Sequence, residues 1–183
     1  MAPPHVSICL SLGSNLGDRA ENLRRALAFL PPAITVEVIS PVYETEPAYV
    51  LDQPRFYNLA CRAATSLAPL EALHHLKRLE SEIGRTPGPR FGPRLIDLDV
   101  LFYSDLVLDT PELTVPHPRL AERAFVLVPL ADIAPDFVHP VLKQSIAALR
   151  DQLGDTRSLI WPVEGLDRQE LFEPRSRKER QAE

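Results

Sequence analysis

Leu95-Ile96-Asp97-Leu98-Asp99-Val100-Leu101-Phe102 is the segment on which the reading of this chain turns. It is apolar at every position but two and follows a stretch, Arg85 to Arg94, crowded with proline, glycine and arginine, so it reads as a buried strand entered from a stiff loop. Side chains two apart on a strand share a face, which puts Asp97 and Asp99 together on one side and Ile96, Leu98 and Val100 on the other. The segment therefore predicts a sheet with one face packed against helices and an acidic spot on the opposite face.

The chain upstream supplies that packing. Pro69 suits a first helical turn, and Leu70, Leu73, Leu76, Leu79 and Ile83 form an apolar stripe that Gly84 ends. Phe56 to Thr65 and Thr35 to Val42 are strand-like runs rich in β-branched and aromatic residues. The Pro-bearing stretch between them, Glu44 to Arg55, is long for a connection and is a candidate lid. Nearer the N-terminus, Val6, Ile8, Leu10 and Leu12 alternate with Ser7, Cys9 and Ser11 as a half-buried strand does. After a turn at Gly13 to Asp18, Leu23, Ala26, Leu27 and Leu30 mark one face of a helix that Pro31-Pro32 stops. Asn15 or Asp18 is the expected helix cap, because the turn lacks the Gly-Lys-Ser/Thr ending of a phosphate-binding P-loop.

Downstream, Ser104-Asp105 reads as a turn into Leu106 to Leu108. Thr114-Val115-Pro116-His117-Pro118 is a rigid connector, a short helix is expected near Leu120 to Ile133, and Leu142, Ile146, Leu149 and Leu153 stripe a last helix. The order strand, helix, strand, strand, helix, strand predicts an α+β fold, a ferredoxin-like α/β sandwich with an antiparallel sheet. At 183 residues one domain is expected, over residues 1–160, with a flexible charged tail over 161–183.

Composition narrows the function. A net charge of −5 argues against broad nucleic-acid binding, which rests on many Lys and Arg contacts to phosphate. Cys9 and Cys61 lie in strand-like segments without metal-ligand spacing and read as buried free thiols, which suits a reducing, cytoplasmic setting. No apolar run approaches the length of a membrane span, and no export-signal pattern opens the chain.

Two adjacent carboxylates repel one another and are costly to bury without a cation. As hard oxygen ligands they suit Mg²⁺, which takes one or two protein carboxylates together with phosphate oxygens and waters. From the residues alone, a solvated edge strand or ion pairs with nearby arginines stand beside that reading. Arg85, Arg90 and Arg94 gather within ten residues on one loop, and guanidinium groups clamp phosphates. His117 is held between prolines, while Phe125, Phe56 and Asn58 offer flat faces and an amide of the kind a planar heterocycle needs.

Taken together, Ser11-Leu12-Gly13-Ser14-Asn15-Leu16-Gly17-Asp18, Tyr43-Glu44-Thr45-Glu46-Pro47, Asp52-Gln53-Pro54 running to Asn58, Gly92-Pro93-Arg94-Leu95-Ile96-Asp97-Leu98-Asp99 and Val115-Pro116-His117-Pro118 resemble the 6-hydroxymethyl-7,8-dihydropterin pyrophosphokinases in order and spacing. The resemblance covers residues 6 to 150. It implies transfer of pyrophosphate from ATP to the hydroxymethyl group of the pterin, yielding the pterin diphosphate and AMP, a step of folate synthesis. It also implies two Mg²⁺ ions on Asp97 and Asp99, with Arg85, Arg94, Asp97 and Asp99 as the catalytic set. Thr45, Phe56, Asn58 and Phe125 match pterin-pocket positions, with the two phenylalanines sandwiching the ring. Glu80, Arg85, Arg94, Val100, Thr114, His117 and Arg123 match positions at the nucleotide. The expected partners are these two small molecules, with no nucleic acid and no membrane, and the expected state is a monomer.

The chain departs from the commonest family pattern at Phe91, where many members have Trp, at Thr86 to Pro89, where a second arginine is frequent, and at Pro118, where an aromatic is frequent. RNA-recognition modules share the strand and helix order, but they place aromatic and basic side chains on the sheet rather than two acids. Another Mg²⁺-dependent nucleotidyl-transfer enzyme is the second alternative.

Overall fold

The computed structural model describes residues 5–166, Arg168 and Leu171. Along the chain run β1 (Val6–Ser14), α1 (Arg19–Phe29), β2 (Ile34–Ile39), β3 (Tyr43–Thr45), β4 (Phe56–Thr65) and α2 (Pro69–Ile83). Then follow β5 (Asp97–Tyr103), β6 (Leu108–Asp109), β7 (Thr114–Val115), α3 (Ala124–Ile133), α4 (Ile146–Gln152) and β8 (Ile160–Pro162). The main sheet runs β5-β1-β4-β3-β8, with β2 also paired to β4, and β6 and β7 form a separate small hairpin. Every ladder among the described residues is antiparallel, giving a mixed α/β sandwich.

Each face of the sheet carries its own core. Ile8, Leu10 and Leu12 of β1, Leu59 and Cys61 of β4, and Leu98 and Val100 of β5 pack against Leu23, Ala26 and Leu27 of α1 and Leu76 and Leu79 of α2. Burying each such leucine contributes about 1.5–3 kcal/mol, which is why the apolar stripes of the two helices fix their seats. Cys9, Ala60, Leu101 and Phe102 point the other way, against Val126, Leu127 and Leu130 of α3 and Leu149 of α4. A bulge makes this possible: β5 shifts register between Cys9 and Leu10, so that Leu101 and Phe102 both serve the α3/α4 core while Tyr103 returns to the α1/α2 side.

Helices α3 and α4 cover only part of that second face. The part left open is where Gly13 pairs with Asn58 and Asp97, and Ser11 pairs with Ala60 and Asp99. The two acids predicted to share a face do so, at the uncovered end of the sheet.

The predicted elements over 56–65 and 69–83 match β4 and α2 to the residue, and Gly84 closes α2 in the left-handed conformation at φ 110° that glycine adopts without steric cost. Other elements differ. β3 takes Tyr43 and the first two residues of the loop predicted from Glu44, held between β4 and β8. Helix α4 begins at Ile146 rather than near Leu142, because Lys143 takes φ 57° and the Ser145 hydroxyl accepts from the Ala148 amide as a cap. The proposed division at 160/161 falls inside β8, and Leu171 is buried in the α1/α2 core. Residues 167, 169, 170 and 172–183, where most of the predicted tail falls, lie outside the described residues. Among the described residues no helix is long and apolar enough to cross a membrane.

Candidate active site

The turn after β1 organises the site. Asp18 caps α1, its carboxylate accepting from the Glu21 amide at 3.0 Å. Asn15 has a different duty from the expected cap. Its side-chain oxygen accepts from the Arg94 amide at 2.8 Å, while its nitrogen donates to Gln53 at 3.1 Å and to the Pro54 carbonyl at 2.9 Å. One buried amide thus ties the β1 turn to the candidate lid at Glu44 to Arg55 and to the stiff loop at Arg85 to Arg94. Gln53 completes the tie by donating to the Phe91 carbonyl at 2.9 Å, and the Tyr49 and Phe91 rings meet with centroids 4.4 Å apart.

Beneath these loops lies a cleft of about 320 Å³. Its polar half is built on β5. Asp97 accepts from Arg85 at 2.7 Å through one oxygen and from Arg94 at 2.9 Å through the other. Burial alone would raise its carboxyl, but Arg94 and Arg85 together outweigh that and hold it below the usual carboxylate range. Asp99, two residues on, is pushed the other way, first by burial and then by the charge of Asp97. The two carboxylates therefore sit in unequal environments, one saturated by arginines and one short of positive charge.

His117 faces the pair. Its backbone amide donates to the Leu101 carbonyl at 2.9 Å, and its Nδ1 accepts from the Arg119 amide at 3.2 Å, leaving Nε2 with no protein partner among the described residues. Burial lowers its affinity for a proton, so the neutral ring is favoured. Arg123, at the start of α3, donates to the Tyr49 hydroxyl at 3.2 Å and lies over the Phe125 ring at 5.4 Å.

The other half of the cleft is a recess lined by Thr45, Phe56, Asn58 and Phe125. Asn58 is buried and donates to the Thr45 hydroxyl at 2.8 Å, which fixes which way its amide points. Gly13 stands opposite, and a Cβ there would meet the Asn58 oxygen at 2.6 Å. The neighbouring strand must be glycine at this point for the amide to lie where it does.

Of the residues predicted for the site, Thr45, Phe56, Asn58, Arg85, Arg94, Asp97, Asp99, His117, Arg123 and Phe125 all line this one cleft. Three do not. Glu80 is buried behind it, accepting from the Leu98 amide at 2.7 Å and pairing with Arg85 at 2.6 Å. The Val100 side chain is in the α1/α2 core, and Thr114 bonds Asp109 within the small hairpin. Ser11, Gly13, Glu46, Ala48, Tyr49, Lys77 and Phe91 line the cleft without having been singled out as site residues. Tyr49 and Phe91 had a signal, an aromatic on the candidate lid and another on the arginine-rich loop; Lys77 had none beyond its spacing of three from Glu80 on α2.

In acting as a metal site, the two carboxylates contribute only part of a coordination shell. Among the described residues no group of three or more His, Cys, Asp or Glu is placed to hold an ion. A two-carboxylate share completed by phosphate oxygens and water fits Mg²⁺ and fits poorly with ions that need an all-protein cage.

Residues 9–135 match the model of the family described as 7,8-dihydro-6-hydroxymethylpterin-pyrophosphokinase (HPPK). The chain is 45% identical over 147 residues to the 2-amino-4-hydroxy-6-hydroxymethyldihydropteridine pyrophosphokinase of Bacillus subtilis, covering 79% of this chain and 86% of that one. It is 42% identical over 135 residues to the folic acid synthesis protein FOL1 of Dictyostelium discoideum, covering 74% of this chain and 20% of that protein. To the mitochondrial folate synthesis bifunctional protein of Pisum sativum it is 50% identical over 127 residues, covering 69% and 25%. The chain thus spans only a fifth to a quarter of these two eukaryotic proteins. The crystal structure of Plasmodium falciparum HPPK-DHPS with pteroate shares its fold at a TM-score of 0.69 and 19% identity, over 81% of this chain and 42% of that one. By the extent of the family match and by its near full-length similarity to the Bacillus enzyme, the chain belongs to the HPPK family.

Proposed function

We propose that this chain transfers the terminal pyrophosphoryl group of ATP to the hydroxymethyl oxygen of 6-hydroxymethyl-7,8-dihydropterin, releasing AMP. The observation that carries the reading is that one cleft holds an arginine-flanked carboxylate pair at one end and a recess with a fixed amide and two phenyl groups at the other. Phosphoryl chemistry needs the first, and a flat, hydrogen-bonding heterocycle needs the second.

In this reading Phe56 and Phe125 hold the pterin between their faces, and Asn58, oriented by Thr45, reads its hydrogen-bonding edge. The pterin hydroxyl oxygen forms a bond to the β-phosphorus as the bond from that phosphorus to the α,β-bridging oxygen breaks. AMP leaves with the electron pair, and the hydroxyl proton is released with the products when the loops open. Arg85, Arg94 and Arg123 neutralise the charge that gathers on the transferring group, with His117 Nε2 beside it. Asp97 and Asp99 would hold two Mg²⁺ ions, which when bound neutralise the triphosphate and order its oxygens. Glu80 acts from behind, fixing Arg85 and the β5 backbone. Loops 46–55 and 85–94 exclude water once both substrates are seated.

The strand order β5-β1-β4-β2, with one helix after β1 and one after β4, supports a ferredoxin-like core. We read residues 1–160 as the catalytic unit, extended by the rest of β8, working as a monomer on small molecules. The deciding assay is AMP release from ATP: it should require the hydroxymethylpterin as well as Mg²⁺. AMP formed equally without the pterin, or no AMP with all components present, would refute the assignment.

A further inference from the structure

We propose that Lys77 is the resident counter-ion of Asp99, and that it keeps a bare divalent cation off the carboxylate pair until a polyphosphate arrives with it. The proposal rests on the reading of Asp97 and Asp99 as the metal-holding pair. Both oxygens of Asp97 are taken by Arg85 and Arg94. Asp99 accepts no side-chain hydrogen bond among the described residues, and the cation within reach of it there is the Lys77 ammonium, at 4.0 Å. That ammonium is not wandering: it donates to Glu80 at 2.8 Å and to the Leu98 carbonyl at 3.2 Å, two acceptors set by buried structure.

Three acids, Glu80, Asp97 and Asp99, therefore stand against three bases, Lys77, Arg85 and Arg94, in one cluster. A charge-compensated cluster offers a lone dication little net attraction, and the dication would approach the Lys77 ammonium at a range where like charges repel strongly. A nucleoside triphosphate changes the balance, because its oxygens give the three bases somewhere else to turn and leave the carboxylates to the metal. Lys77 is suited to that exchange: its flexible side chain is 43% exposed, whereas those of Arg85 and Arg94 are more enclosed.

The test is Mn²⁺ titration of the full chain, followed by electron paramagnetic resonance and water-proton relaxation, with and without ATP and always without pterin. Lys77→Met should bind Mn²⁺ alone on the order of tenfold more tightly than the wild type, with the gap narrowing as salt is added. Lys77→Arg, which keeps the charge, should bind it as the wild type does. Equal affinity of wild type and Lys77→Met for Mn²⁺ alone, with both holding it in the presence of ATP, overturns the role of Lys77 and leaves the metal pair standing. A gain in Lys77→Arg equal to that in Lys77→Met overturns it too, since charge would not be the cause. Failure of the wild type to hold Mn²⁺ even with ATP removes the metal pair itself and this inference with it.

Discussion

Substituting Gly13 by Ala should damage recognition of the pterin while sparing that of ATP. The added Cβ would lie 2.6 Å from the Asn58 oxygen, where ordinary contact begins at 3.4 Å, so the amide must give way by about 0.8 Å. It cannot do so freely, because Asn58 is buried and bonded to Thr45 at 2.8 Å. Losing that bond or leaving the amide unpaired costs about 1–3 kcal/mol. Against a chain of this size, each kcal/mol lowers Tm by roughly 2–4 °C. If the same loss appears in the complex, the pterin KM rises by about 5- to 150-fold. The ATP KM should stay within about twofold, since the atoms nearest the new methyl belong to Asn58 and, at 3.8 Å, Phe56, both in the recess rather than among the arginines. Steady-state kinetics with each substrate varied in turn, beside a thermal melt, give the result. The double variant Gly13→Ala with Asn58→Ser clears the collision and should recover Tm without recovering pterin affinity. An unchanged pterin KM, or equal rises for both substrates, would refute the claim that this glycine exists to admit the amide.

Three further outcomes follow from other parts of the structure. Glu80→Gln keeps the acceptor for Leu98 but loses the charge on Arg85, and it should cost about 1–3 kcal/mol in denaturant unfolding and raise the ATP KM more than the pterin KM. His139 is buried, with Nδ1 accepting from the Val141 and Leu142 amides at 3.2 and 3.1 Å, and burial holds its proton affinity below the usual value. Because the unfolded chain then binds the proton more readily, its contribution is intact above about pH 6.5 and is lost as pH falls toward the folded value; melts from about pH 7.5 to about pH 5.5 should fall less steeply in His139→Gln than in the wild type. Cys9 and Cys61 are both buried free thiols, with Cys9 pushed up to about 11 by burial and Cys61 pushed higher still, so neither should react with a thiol-alkylating reagent at neutral pH until denaturant is added, as mass spectrometry would register.

Strong periodicity made parts of the fold legible. The leucine stripe of α2 and the run from Phe56 to Thr65 each carry a full local signal, and both elements lie where that signal puts them. β3 and β8 have three residues each, too few to show a period, and they exist as strands because β4 offers an edge to which Tyr43 to Thr45 can pair. The bulge in β5 was equally silent: Leu101 and Phe102 read as ordinary strand residues, and only the neighbouring strand shows that both face α3 and α4.

The site divides along the same line, between what one segment states and what distant segments impose on each other. Asp97 and Asp99 announce themselves by spacing, Arg85 and Arg94 by crowding onto one loop, and Phe56, Asn58 and Phe125 as flat faces beside an amide, while the resemblance supplied their roles together with Thr45 and Arg123. Gly13 passes for one more turn glycine until β4 is laid beside it, when the Asn58 amide fills the space its side chain would need. Asn15 passes for a helix cap, yet spends its amide joining three loops that are far apart in sequence. Lys77 passes for a solvated helix residue, and its importance follows only from Asp99 lying 4.0 Å away on another element. What sequence spacing cannot express is compensation: Asp97 is matched by two arginines and Asp99 by a lysine at the limit of pairing distance. That imbalance makes Asp99, rather than its twin, the carboxylate whose partner must change when a charged substrate enters.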